Sequence, residues 1–222
     1  IITLGSDLVF KKIRFDGTNT KPYSTLNTKD FKLFFDSSYI TELRFEGDDS
    51  INLNGSIIAA CSFDGNSTLL GNITLANLVN FNGNITNAGV MENDNGYPRY
   101  PEFNGKFINN GTIKNNNSGY INVQLKNDLQ NNGIYKPAYT QLKTNNPILL
   151  SQGPNAYFEG TFESYDTLNV IQLASDITFK KATLNGQNTQ PYSTIKTNGF
   201  ALKLDSCKLY EWQINSNDTV DF

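Results

Sequence analysis

Residues 85–89 read Ile85-Thr86-Asn87-Ala88-Gly89. The phrase returns 22 residues later as Phe107-Ile108-Asn109-Asn110-Gly111, and after another 22 as Leu129-Gln130-Asn131-Asn132-Gly133. A second phrase, Phe-x-Gly, falls at Phe45-Glu46-Gly47, Phe63-Asp64-Gly65, Phe81-Asn82-Gly83 and Phe103-Asn104-Gly105, in steps of 18, 18 and 22. Phe15-Asp16-Gly17, Phe158-Glu159-Gly160 and Leu184-Asn185-Gly186 read as further copies. Self-similarity at a period near 20 residues is the mark of one turn of a solenoid.

The local pattern decides which solenoid. Ile51-Asn52-Leu53-Asn54 and Ile121-Asn122-Val123-Gln124-Leu125 alternate apolar and polar, as does the outer part of Phe31-Lys32-Leu33-Phe34-Phe35. Alternation at period two belongs to strands with one face turned inward. No stretch of ten residues carries the three-and-four spacing of an amphipathic helix, which weighs against leucine-rich and ankyrin-type repeats. The expected fold is all-β, a parallel β-helix of about 18–22 residues per coil. Right-handedness follows from the general rule for parallel β crossovers. A hairpin-built β-sandwich would explain the alternation but not the 22-residue register.

Specific expectations follow for the stack. Strands of successive coils pair about 4.8 Å apart. Phe45, Phe63, Phe81 and Phe103 pile into an inner column, and Gly89, Gly111 and Gly133 stand one above another. Gly after Phe-x is expected to take positive φ. Asn before Gly is expected to bond along the stack to the next Asn.

A longer repeat encloses the short one. Residues 4–43 align without a gap to residues 173–212 at an offset of 169, with 19 of 40 positions identical. The shared residues include Ser6-Asp7 with Ser175-Asp176, Lys11-Lys12 with Lys180-Lys181, and Pro22-Tyr23 with Pro191-Tyr192. Residues 1–222 therefore read as one continuous solenoid segment of a longer protein built from units of this length. In this alignment Trp212 takes the place of Leu43, which makes it a packing residue.

Composition excludes several function classes. The 222 residues are 38% hydrophobic and 18% charged, with net charge −3 and no basic block, so nucleic acid is not an expected partner. No apolar run is long enough to cross a bilayer, so no membrane insertion is expected. His is absent and Cys61 and Cys207 lie far apart, which excludes a zinc finger and favours two buried thiols.

The stretch from Phe103 to Phe179 carries Asn109-Asn110-Gly111-Thr112-Ile113, Gly133-Ile134-Tyr135-Lys136-Pro137, Ser151-Gln152-Gly153, Phe158-Glu159-Gly160 and Leu173-Ala174-Ser175-Asp176-Ile177-Thr178-Phe179. In these phrases it resembles secreted β-helix repeat proteins of Bacteroidetes. The resemblance implies a large, repetitive protein exported to the cell surface, with an adhesive role. The C-terminal export signal usual in such proteins is not found in this sequence.

Candidate chemistry is sparse. A glycoside hydrolase needs two carboxylates facing one sugar bond, and polysaccharide lyases of this fold type pair acidic calcium ligands with a basic residue. Carboxylates here are scattered, and the neighbours Asp48 and Asp49 are directed to opposite sides if they lie on a strand. No catalytic residues and no cofactor are expected. Glu92-Asn93-Asp94-Asn95-Gly96 is oxygen-rich, and Glu92 and Asp94 form the one candidate calcium site, although the remaining EF-hand ligands are missing. Tyr97-Pro98-Arg99-Tyr100-Pro101 follows directly. Tyr97, Arg99 and Tyr100 are candidate ligand-binding residues for an extracellular glycan or protein, since outward tyrosines stack on sugar faces or anchor partners. The expected function is a non-catalytic structural or adhesive solenoid that presents lateral loops. A carbohydrate-binding module is the alternative, and a carbohydrate-active enzyme is a third reading.

Overall fold

The computed structural model describes residues 1–18, 24–29, 31–94, 96–116, 118–164, 168–186, 192–216 and 219–222. Among these residues there is no helix, and every strand pairing is parallel. The chain winds as a β-solenoid with three strand-bearing faces. In one coil, Leu43–Glu46 lies on the first face, Asp49–Asn52 on the second and Ser56–Ala59 on the third. Each strand pairs with its counterpart one coil on, and the second face forms an eleven-stranded ladder. Steps along the ladders are 18 residues from Asp48 to Asn66, 22 from Asn87 to Asn109 and 25 from Asp7 to Lys32. One change of step falls within a ladder, where the pairing of Tyr157–Ser164 with Ile177–Asn185 shifts register between Phe158 and Gly160.

Alternation places the core. On the first face, register joins Leu26 to Phe45, Phe45 to Phe63, Phe63 to Phe81, Phe81 to Phe103, and Phe103 to Leu125. The rings stack at centroid distances of 4.6, 5.1 and 4.6 Å from Phe45 through Phe103. All are buried, and each contributes roughly 1.5–3 kcal/mol of burial free energy. On the second face Ile85, Phe107, Leu129 and Leu150 form a parallel column. Phe158-Glu159-Gly160 and Phe15-Asp16-Gly17 resemble the Phe-x-Gly phrase but belong to another column, because Phe158 and Phe15 lie on the third face.

The glycines stack as expected, but for a different reason. A Cβ on Gly111 would overlap the carbonyl oxygen of Gly89, and one on Gly133 would overlap that of Gly111. The same holds from Gly65 onto Gly47, Gly83 onto Gly65 and Gly105 onto Gly83. Positive φ occurs at Gly47 and Gly160 but not at Gly65, Gly83 or Gly105. Close backbone approach between coils, rather than a left-handed turn, selects glycine at those three positions.

Asparagines bond along the stack at two depths. Asn132 Nδ2 donates to Asn110 Oδ1 at 2.8 Å on the surface. Inside, Asn87 donates to Asn109 and Asn109 to Asn131, at 2.8 and 2.9 Å.

The two copies of the long repeat share local geometry. Lys12 and Lys181 have φ of 51° and 49°, and Glu42 and Glu211 both have φ of 57°. Asp7 Oδ1 accepts from the Lys32 amide at 2.8 Å, and its counterpart Asp176 Oδ1 accepts from the Ala201 amide at 2.9 Å. Yet the copies do not occupy the same faces. Leu8–Lys11 pairs on the second face with Leu33–Asp36, while its counterpart, residues 177–180, pairs on the third face with Leu202–Asp205. Leu43–Glu46 lies on the first face and its counterpart Trp212–Asn215 on the second. After Leu8–Lys11 the chain passes the second face eight more times before reaching residue 177. The 169-residue unit thus spans eight turns and a third. Pro22, Tyr23 and Pro191 of the repeat lie outside the described residues.

Candidate functional site

An open groove of about 490 Å³ on the first face is lined by Tyr100, Tyr120, Asn122, Gln124, Tyr139, Gln141, Lys143 and Glu163. Register builds it. In Asn122–Leu125, Val123 and Leu125 turn inward, so Asn122 and Gln124 face outward. Asn122 pairs with Tyr139 and Gln124 with Gln141 one coil on, and Gln141 pairs in turn with Glu163. Arg99 bridges to Ile121, which sets Tyr100 beside Asn122 on the preceding coil. Tyr100 and Tyr139 thus flank Asn122 from two coils, about 10 Å apart along the axis at the ordinary strand spacing.

Neighbouring turns hold these groups in place. Asn115 Oδ1 accepts from the backbone amides of Ile121 and Ala138, at 2.8 and 3.1 Å, which pins the turns leading into Asn122 and Tyr139. Arg99 grips Asp94 with two guanidinium nitrogens, Nε to Oδ1 at 2.5 Å and Nη2 to Oδ2 at 2.7 Å. That bidentate pair braces the loop that carries Tyr100. Tyr120 and Tyr139 meet edge to face at 5.4 Å. The Tyr120 phenol is raised above its usual value, first by its hydrogen bond with Tyr100 and then by desolvation and the nearby Glu163 charge. Gln141 Nε2 donates to Glu163 Oε2 at 3.1 Å.

One buried atom of the lining lacks a partner. Asn122 is 4% exposed, and its Oδ1 has no hydrogen-bond partner among the described residues. A buried acceptor left unsatisfied is rare and costs on the order of 1–3 kcal/mol.

The residues singled out in the sequence are dispersed. Tyr100 is 38% exposed and enters the groove, whereas Tyr97 is 67% exposed and lies outside its lining. Arg99 is a brace, with its guanidinium 5.6 Å from the Tyr97 ring centre and bonded to Asp94. Glu92 pairs with Lys114 at 3.3 Å and Asp94 with Arg99, so each of the two candidate calcium ligands is held by a cation. Asn95 of that loop lies outside the described residues, and among the described residues no three acidic, Cys or His side chains gather into a metal-binding group. Asp48 Oδ1 accepts from the Asn66 amide at 2.7 Å in an exposed turn, while Asp49 is buried. Cys61 is a buried free thiol pushed up to about 11 by desolvation, and Cys207 is a half-buried one. Trp212 packs in the core.

Tyr120, Tyr139 and Asn122 escaped the sequence reading. Their signal was the coil period: Tyr100, Tyr120 and Tyr139 are spaced 20 and 19 residues apart, close to one turn.

A second open groove lies on the third face, with Gln152, Tyr157, Lys180, Lys203 and Asp205 in its lining. Lys180 Nζ stands 4.5 Å from the Tyr157 ring centre, and Lys136 Nζ stands 5.3 Å from it. No helix among the described residues is long and apolar enough to cross a membrane. Comparison with family models, curated proteins and solved structures finds no match for this chain.

Proposed function

We propose that the chain is a non-catalytic structural and adhesive segment of a secreted or cell-surface protein. It acts as a stiff spacer that holds lateral binding surfaces at a distance. One observation carries the reading. Every coil is tied to the next along all three faces, and the interior is a continuous run of buried aromatic and aliphatic columns. Chain length is thereby converted into axial length, at about 4.8 Å per coil. Because each coil bonds only to its neighbours, bending requires loss of ladder bonds on one side.

The test has two arms. Small-angle X-ray scattering of the purified chain is expected to give a rod close to 50 Å long. Beads coated with the chain are expected to be retained on host-cell or matrix surfaces more than beads coated with an unrelated β-rich protein. Turnover of polysaccharides from a broad panel, read as new reducing ends or unsaturated products, would overturn the non-catalytic reading. Equal retention of both bead types would overturn the adhesive one.

A further inference from the structure

We infer that the groove around Asn122 is a binding site for an uncharged sugar chain. The inference rests on the adhesive reading and names the partner that this face would hold.

Chemistry selects the ligand class. The lining offers three phenols and three carboxamides, from Tyr100, Tyr120, Tyr139, Asn122, Gln124 and Gln141, with one cation and one carboxylate. Phenols and amides both donate and accept, as do the hydroxyls of a sugar. The C–H faces of pyranose rings pack on aromatic rings, and the tyrosines supply these at intervals of one coil. Lys143 and Glu163 balance, so the groove has no net charge with which to draw phosphate, sulfate or uronate groups. An apolar small molecule is a poor fit, because an open trough floored with amides encloses too little of it. Asn122 Oδ1 is sealed from solvent beneath the groove floor, so a sugar would meet the outer phenol and carboxamide groups of the lining rather than this atom.

The experiment titrates the full chain with cellohexaose, xylohexaose and mannohexaose. Tetragalacturonate and a heparin hexasaccharide serve as acidic comparators. Calorimetry and ligand-observed NMR provide the readout. At least one neutral oligosaccharide is expected to bind in the micromolar to millimolar range. Tyr120→Ala and Tyr139→Ala are each expected to weaken it by about tenfold or more. Tyr97→Ala lies outside the groove and should leave binding unchanged. Tyr120→Phe keeps the ring and is expected to retain more binding than Tyr120→Ala. Circular dichroism of each variant establishes that the ladders persist.

Binding confined to the acidic comparators would overturn the inference. So would neutral-sugar binding that survives both alanine variants, or no sugar binding at all. If no sugar binds while coated beads are still retained, the groove assignment falls and the adhesive reading stands.

Discussion

Asn87 Nδ2 donates to Asn109 Oδ1 at 2.8 Å across one coil, and both side chains are fully buried. Asn109 repeats the gesture to Asn131 at 2.9 Å, and each amide also reaches a backbone carbonyl beyond, Thr112 at 3.2 Å and Ile134 at 3.0 Å. The chain of amides is satisfied at every step and so holds one coil in register with the next. Asn109→Leu removes the middle member, so one N–H of Asn87 Nδ2 loses its acceptor, the Ile134 carbonyl loses the Asn109 amide, and Asn131 Oδ1 keeps only the Gly133 amide. The expected loss is about 2–4 kcal/mol, read from urea denaturation. Asn131→Leu, at the end of the ladder, should cost less.

The aromatic column predicts a size-dependent series. Phe81 lies between Phe63 and Phe103, with ring planes within 29° and 20° of its own. Phe81→Leu is expected to cost about 1–2 kcal/mol and Phe81→Ala about 3–5 kcal/mol. Thermal melts of the two variants test the order. Equal losses would mean that the column repacks.

The glycine column predicts a contrast. A Cβ at Gly111 meets backbone, which cannot swing aside, whereas a Cβ at Gly5 meets nothing within 4 Å. Gly111→Ala is therefore expected to destabilise by at least about 2 kcal/mol and Gly5→Ala to be close to neutral. Comparing their denaturation midpoints checks this.

Alkaline pH should weaken the fold through two buried acids. Desolvation raises the Cys61 thiol to about 11, and burial raises the Tyr135 phenol, whose hydroxyl pairs with Thr140 Oγ1 at 2.9 Å. On unfolding these groups return to about 8.5 and about 10 and release protons. The folded state binds more protons over that range, so stability falls as pH rises. Stability should be level below about pH 8 and then drop. Cys61 alone contributes a slope of up to about 1.4 kcal/mol per pH unit between its unfolded and folded values. Urea titrations at pH 7, 9 and 10.5 measure the slope, and Cys61→Ala is expected to flatten its first part.

Much of the fold was legible because a solenoid writes its period into its sequence. Phe45, Phe63, Phe81 and Phe103 announced their column, and Gly89, Gly111 and Gly133 theirs. The cause of the glycines was less legible. The crowding at Gly83 comes from Gly65, 18 residues away, and no local pattern displays that contact. The inner asparagine ladder has no sequence signature of its own, for a related reason. Asn87 lies two residues after Ile85 and so shares its inward parity, but a polar residue in that position invites a surface reading. The groove was the least legible feature. Its members come from separate coils of unequal length, and outward positions carry no hydrophobic signature. Tyr100 was found through its proline-rich loop, while Tyr139 was hidden in an ordinary alternating strand.

The third of a turn left over in the 169-residue unit has a directional consequence. Lys12 and Lys181 share a backbone conformation and a sequence context, yet the paired segments just before them, Leu8–Lys11 and residues 177–180, lie on adjacent sides of the shaft. Units joined end to end would place the same motif like the thread of a screw, returning to a given bearing with every third copy. A flat surface lying alongside would meet one motif and miss the following two. Partners arriving from all around could fill every one.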